Sequence, residues 1–450
     1  MTDSATSLRR AERRAAGKRL REAVPRESHA EWTPAPGRDP LAILRAGDRG
    51  RLLELIPLRH ERMRANPFAF LRGAAAIMAA DLTGVPVPGL PVQACGDCHI
   101  GNFGVYRSPE GLTLFDINDF DETLWNVDFT VDVKRLAASI AVAALGQGED
   151  KARKAARAGV RAYRQHMRDL ADLGPLAIWH SRIDLEREIG RFGDGNLCRH
   201  LLRKAAIETS DGLSHGDAPD LDPATTQGDP AKWRIADKAP TIFHEGENGL
   251  TEAVQEAAEA LRAYPRSLSA ERHTLVLRYA QRDVAFKVVG IGSVGTVCAV
   301  GVYADADGAP LFLQIKEARP SVLAPLALRP FSLISEGQRV IDGQRIMQAA
   351  SDPFLGTAQC DASGRSYYVR QLKNKKLSAV GEILAKGGAK TYAQLCGTTL
   401  ARAHARSGDA AMITGYLGKG AAFDEAVAEF ALRYAHQTVA DHAALCAENA

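Results

Sequence analysis

The sequence has 450 residues, more than one compact core needs and enough for two or three domains or lobes. Its composition, 46% hydrophobic and 25% charged, is that of an ordinary globular protein, and a formal net charge of +3 gives no strong global field toward nucleic acid or membrane. No run of about 18 apolar residues is present, and the start lacks the apolar stretch of a secretory signal. Seven scattered cysteines then predict reduced thiols in a cytoplasmic protein with no membrane or nucleic-acid partner.

Arg9, Arg10, Arg13, Arg14, Lys18, Arg19 and Arg21 crowd the start, ahead of Pro25, Pro34, Pro36 and Pro40. That pattern predicts a solvated, partly disordered basic arm over residues 1–40, with a phosphate- or nucleic-acid-binding arm as the alternative. Apolar residues at helical spacing run from Leu41 to about Leu82, and Val85 to Gly89 reads as a loop. Two β-like pieces follow, Asn102 to Tyr106 and Leu112 to Phe120, and the turn chemistry of Ser108 to Gly111 between them predicts a hairpin. Helical stripes span Val131 to about Leu173. Residues 180–270 read as mixed and mostly helical, with a surface loop over Gly212 to Pro230. A second β-rich region runs from Thr274 to about Ala318. A helix over Leu333 to Ala350, a strand over Tyr367 to Leu372 and a helical tail from Tyr392 to about Ala447 complete the chain.

The first chemistry-bearing stretch is CGDCHIGNFGVY, followed by LTLFDINDFDET. Asp97, His99 and Asn102 stand at the mouth of the hairpin; Asp116, Asp119 and Asp121 stand at its far end. Carboxylates this dense repel one another unless a cation lies among them, and Mg²⁺ takes such oxygen ligands together with phosphate oxygens. Phosphoryl transfer needs a carboxylate to orient the attacking hydroxyl, plus an amide and a carboxylate on the metal. Asp97, Asn102 and a later Asp supply those parts in that order. Three other readings use the same residues: a C-x-x-C-H haem attachment, which requires export; a zinc site on Cys95, Cys98 and His99, which lacks a second ligand pair; and turn-stabilising Asx chemistry.

The second stretch is VVGIGSVGTVCAVGVY, preceding LFLQIKEA. Gly290, Gly292 and Gly295, with Ser293 between them, form G-x-G-x-x-G. A dinucleotide-binding version opens a helix, whereas Thr296 to Tyr303 reads as a strand. A glycine-rich turn between two strands is the arrangement that covers nucleotide phosphates in kinases; a plain β-turn is the alternative. The next strand, Leu311 to Ile315, ends at Lys316, and the helix beyond carries Glu336 as its expected ion-pair partner. Glu317 is nearer but points to the opposite face of the strand.

G-D-x-H-x-x-N followed by a strand ending in D-F-D resembles the catalytic loop of aminoglycoside phosphotransferases and choline kinases, relatives of the protein kinases. The resemblance implies ATP and Mg²⁺, with Asp97 as the catalytic Asp, Asn102 and Asp119 on the metal, and Asp132 as the Asp that opens the following helix. Asp116 rivals Asp119, which is preferred because Phe120 and Asp121 follow it. Cys95 departs from the pattern, standing where the family usually has His. The glycine loop and its lysine follow the catalytic motif, the reverse of the usual order, so the expected fold is α+β, protein-kinase-like, two-lobed and circularly permuted.

That reading places a helix-rich catalytic lobe at 41–270, an antiparallel β-rich nucleotide lobe at 271–378 and returning C-terminal helices at 379–450. His404 and Asp409 would then approach the active site, and Arg62, Arg64 or Arg72 would reach a phosphate. The segments RMRANPFAFLRGAAAIMAAD, VQACGDCHIGNFG, FDINDFDET, GIGSVGT, LFLQIKEA, YYVRQLKN and ARAHARSGD are also similar to a bacterial domain-of-unknown-function family, number 2252, which brings no reaction with it. The expected function is ATP/Mg²⁺-dependent transfer to a hydroxyl on a small-molecule or protein acceptor. Two rivals stay open: a metal-dependent phosphohydrolase using the Asp cluster and His99, and a non-catalytic nucleotide-binding pseudokinase.

Overall fold

Short helices fill the first ninety residues because Pro, Asn and Gly interrupt the apolar spacing: α1 (Arg10–Arg19), α2 (Pro40–Asp48), α3 (Ile56–Arg64), α4 (Pro67–Gly73) and α5 (Ala75–Leu82). Asp39 caps α2 and Asn66 caps α4, each with Pro at the first helical position. The structure, a computed structural model, describes residues 8–188, 199, 201, 232–245, 250–330, 332, 334–360, 362–372 and 388–448. The loop expected at Gly212 to Pro230 lies outside them.

The basic segment is not a free arm over the residues described. Helix α1 lies backbone to backbone on a later helix, α11 (Ala410–Leu417). A Cβ on Gly17 would stand 2.0 Å from the Met412 carbonyl oxygen, and one on Gly415 2.1 Å from that of Arg14. The arginines have structural partners: Arg13 pairs with Asp409 at 3.0 Å, and Arg21 and Arg26 donate to the carbonyls of Tyr416 and Leu417. The last carbonyls of a helix lack intrahelical donors and carry partial negative charge, so guanidinium groups belong there. A charge count reads such arginines as solvated because their acceptors lie nearly 400 positions away.

Strands β1 (Pro91–Ala94) and β4 (Leu124–Asp128) pair antiparallel. Between them the expected hairpin forms from β2 (Phe103–Arg107) and β3 (Thr113–Ile117), with Phe103 opposite Ile117. Helices α6 (Phe129–Ala144) and α7 (Glu149–Leu170) follow. The second β region is a six-stranded antiparallel sheet of order β5-β6-β7-β8-β10-β9: β5 (Ile242–Phe243), β6 (Ala280–Lys287), β7 (Cys298–Ala304), β8 (Pro310–Ala318), β9 (Gly356–Gln359) and β10 (Ser366–Gln371). It draws in β5 from before Thr274, the expected start of the β region, and Thr274 itself lies in a short helix, Ala270–Val276. Helix α8 (Leu250–Ala263) shares an apolar core with the sheet. Helix α9 (Glu336–Met347) stands between β8 and β9. Helices α10 (Ala389–Ala405), α11 and α12 (Ala422–Ala447) end the fold.

The class is α+β with antiparallel sheets. One core runs from the β2–β3 hairpin through α6, α7, α10 and α12. It includes Ala318, Val340, Ile341 and Tyr368, so the large sheet and α9 are packed onto the same helical body. Among the described residues, no helix is long and apolar enough to cross a membrane.

Candidate active site

The loop from Cys95 to Asn102 is held from beneath. The Asp132 carboxylate, fully buried in the first turn of α6, accepts from the backbone N–H of Cys95 at 2.7 Å and of Gly96 at 3.0 Å. His404 Nε2, also fully buried, lies 3.1 Å from Asp132, and its Nδ1 lies 2.9 Å from the Tyr163 hydroxyl. Gly96 is obligatory here: its φ is +90°, and a Cβ would sit 2.2 Å from the Glu122 carbonyl oxygen. Asn102 Nδ2 donates to the Asp97 carbonyl at 2.8 Å, which fixes the amide and turns its oxygen to the other side. His404 therefore braces the loop through Asp132, while Asp409 caps α11 and pairs with Arg13.

Asp97 projects from this loop. Its Oδ1 accepts from Arg135 Nε at 3.0 Å and Nη2 at 2.8 Å, and its Oδ2 faces His99 Nε2 at 3.6 Å. His99 Nδ1 accepts from the Gly101 N–H at 3.1 Å, so in the neutral ring the proton sits on Nε2, toward Asp97. Burial, reinforced by Arg72 and Arg135, pushes His99 down to about 4. Burial and nearby Lys134 push His29 down to about 3.

The unfolded chain protonates both rings below about 6.5 and the folded chain does not. Their contribution to stability is thus present above that pH and lost as pH falls through 6.5 toward 4. Urea unfolding at pH 7 and 4.5 will show a smaller acid loss for His99→Asn than for the wild type. Equal losses would mean that His99 protonates freely in the fold.

The three aspartates at the hairpin's end separate. Asp116 is fully buried, with Arg402 Nη2 at 2.5 Å from Oδ1 and the Ala349 N–H at 2.8 Å from Oδ2, so both its oxygens hold donors of the helical body and it stands apart from the other two. Asp119 and Asp121 face the sheet. Asp119 lies in the field of Lys316, Arg72 and Arg370. Asp121 is the point where the two halves of the sequence meet. Its Oδ2 accepts from Lys316 Nζ at 2.5 Å and Ser293 Oγ at 2.8 Å, and its Oδ1 from the Tyr368 hydroxyl at 2.5 Å.

Strand register explains the convergence. Lys316 is opposite Cys298 on one side and Tyr368 on the other, and Gln314 is opposite Arg370. Positions two apart share a face, so Lys316, Tyr368 and Arg370 all look toward the hairpin, where Arg370 Nη1 reaches the Asn118 carbonyl at 3.1 Å. Glu317 points the other way, accepting from the Val297 N–H at 3.0 Å.

The glycine segment joins β6 to β7, as expected of a strand–turn–strand loop, with one 3₁₀ turn over Ile291–Ser293. Gly295 has φ +89°. Arg51 Nη1 donates to the carbonyls of Gly292 at 3.0 Å and Val294 at 2.6 Å, and Arg62 Nη1 to that of Val289 at 3.1 Å. A Cβ on Gly292 would lie 3.4 Å from the Arg72 carbonyl oxygen, whereas space is open around Gly290. The loop is thus drawn down over the acidic end of the hairpin.

The expected Lys316–Glu336 pair does not form. Glu336 is the first residue of α9, behind the Ser335 cap, and it closes onto Arg339 one turn later at 2.5 Å. Arg339 in turn donates to the carbonyls of Asp121, Thr123 and Arg319. Of the three candidate phosphate arginines, Arg62 serves the glycine loop and Arg64 donates to the Leu445 carbonyl. Arg72 alone of the three is set among the site's charges, near Asp97 and Asp119, and among the described residues its buried Nε has no hydrogen-bond acceptor.

The zinc grouping weighed for Cys95, Cys98 and His99 changes membership: Cys95, Cys98 and Asp132 have ligand atoms within 4.8 Å of one another. Burial keeps both sulfurs as thiols, pushing Cys98 up to about 11, and the Asp132 oxygens already hold two backbone amides. Sequence reading gives Asp121 no role beyond the cluster and misses Arg135, Tyr368 and Arg370. A period-two pairing of β8 with β10 was the available signal for the last two.

The family profile described as "Uncharacterized protein conserved in bacteria (DUF2252)" matches residues 51–448. No curated protein and no solved structure matches the chain.

Proposed function

The chain belongs to the bacterial family DUF2252, and we propose that it is an ATP- and Mg²⁺-dependent phosphotransferase, protein-kinase-like and circularly permuted, acting on a hydroxyl acceptor. One observation carries the reading: Ser293 of the glycine loop and Lys316 of β8 both contact the Asp121 carboxylate, beside the loop that bears Asp97 and Asn102. A glycine turn between antiparallel strands, a lysine on the next strand, and an Asp–Asn loop on a helical body are the parts phosphoryl transfer uses.

The donor set suits Mg²⁺, which prefers hard oxygens. Asn102, Asp119 and Asp121 would hold it, and it would neutralise phosphate charge. Arg72 and Lys316 supply the cationic side of the cleft. Asp97, with one oxygen fixed by Arg135, orients the acceptor hydroxyl and receives its proton. The phosphohydrolase rival asks His99 to move protons, but that ring is buried, with Nδ1 already an acceptor and its affinity for a second proton depressed.

A melting experiment tests the reading. A ligand at about 100 times its Kd stabilises a fold by about 2.7 kcal/mol. ATP with Mg²⁺ will raise the melting temperature of the wild type, and the rise will vanish in Lys316→Ala and Asp119→Ala. A rise that survives both substitutions, or that needs metal but no nucleotide, overturns the assignment.

A further inference from the structure

Lys134, in the second turn of α6, is 1% exposed, yet among the described residues its ammonium has no carboxylate within ion-pairing distance and no hydrogen-bond acceptor. Its polar neighbourhood is the Phe430 ring, whose centroid is 5.0 Å away. Asp128 is close enough to be felt electrostatically, but its carboxylate accepts from the N–H of Leu90 and from the N–H and hydroxyl of Thr130. An ammonium in largely apolar surroundings, with no anion or acceptor of the protein paired to it, is left to whatever water or anion can reach it.

The same lysine lines a cavity of about 200 Å³ between the 84–87 loop, the start of α6 and the 325–328 turn. Most of the wall is apolar, with Leu82, Val85, Val87, Val131, Pro325 and Leu326 among its residues, and Asp128 and Thr130 stand beside Lys134 in it. Gly84 and Pro325 are exposed and Val85, Val87 and Leu326 half-buried, so the cavity opens to solvent at its rim. For scale, an apolar cavity of about 150 Å³ holds one benzene.

We propose that this cavity binds a small monocarboxylate with a compact apolar body, its carboxylate on Lys134 and its hydrocarbon against the valine and leucine walls. Asp128 also lines the cavity, but its carboxylate is taken up by the donors of Leu90 and Thr130, so Lys134 is left to match one incoming negative charge; a phosphate dianion or dicarboxylate would bring a second charge with no cation for it. The site is built from residues outside the cleft described above and does not depend on the phosphotransferase reading.

Burial lowers Lys134 to about 8, opposed by Asp128, so the ammonium form prevails at pH 7 and is lost at higher pH. Asp128 and Lys134 are the titratable groups in the lining; from the other side, His29 faces Lys134 and is neutral throughout this range.

Benzoate is a suitable probe, with benzamide as its uncharged counterpart, followed by calorimetry on the full-length protein. Saturable benzoate binding is expected at pH 7, at least tenfold tighter than benzamide and weaker by a similar factor at pH 9.5. Lys134→Met will abolish it. Leu326→Trp, which places a ring at the half-buried rim, will abolish it without touching the charge. Absence of benzoate binding at millimolar concentration, equal affinity for benzamide, or binding that persists in either variant would overturn the proposal. If Lys134→Met fails to fold, the amide comparison, the pH series and Leu326→Trp still decide it.

Discussion

Asp97→Asn will leave the ATP–Mg²⁺ melting shift in place while lowering ADP release by about 10²–10³-fold, the usual cost of deleting one preorganised charge from a reacting centre. Asparagine keeps an Oδ1 that can accept both Arg135 donors, whose present distances are 3.0 and 2.8 Å. The loop should therefore survive, since Asp132, Ser139 and Tyr392 anchor it independently. What asparagine cannot do is take a proton from an incoming hydroxyl. Water can serve as a slow substitute acceptor, so nucleotide hydrolysis gives a readout before the true acceptor is known. His99→Asn is the discriminating partner, expected to stay within a few-fold of wild type. The opposite pattern, with Asp97→Asn active and His99→Asn inactive, would transfer the assignment to the phosphohydrolase.

The largest effect on stability is expected at Asp116. With Arg402, both side chains fully buried, it links β3 to α10, and Arg402 also donates to the Met347 carbonyl at the end of α9. Removing the carboxylate alone strands a guanidinium whose Nε and Nη1 already lack acceptors among the described residues. Breaking a buried pair in this way costs about 3–5 kcal/mol, so Asp116→Ala should shift the urea midpoint strongly. Replacing both members, as Asp116→Ala with Arg402→Met, should recover much of the loss, because an apolar pair leaves no buried charge behind. If Asp116→Ala is nearly neutral to unfolding yet destroys Mg²⁺ dependence, Asp116 is a metal ligand after all.

The parts legible in the sequence are those whose signal is local. Alternation and turn residues mark the Phe103–Ile117 hairpin, and β-branched residues after Gly295 mark a strand where a dinucleotide site would need a helix. Lys316 is legible because an apolar strand run leads into it, although β8 continues to Ala318. Glu336 misleads because an acidic residue at a helix start has a local use, the ion pair with Arg339, that competes with any distant lysine. The distinct fates of Asp116, Asp119 and Asp121 depend on which face of β3 and its following turn each occupies, and on an arginine, Arg402, nearly 300 positions downstream. No window of sequence contains that information. The arginines of α1 fail for the same reason.

The backbone-to-backbone seat of α1 on α11 also sets an order of assembly. Residues 10–19 are synthesised well before the helix they rest on, which begins nearly 400 positions later. At roughly 5–20 residues per second, the gap is on the order of 20–80 s. For that interval α1, a strongly basic segment, is without its partner and exposed to chaperones and proteases, while the segments bearing Asp97, Asp121 and Lys316 are already synthesised. The seating of α1 is therefore a late step of folding, and a chain cut short before Ala410 would leave α1 without its seat and open to proteolysis.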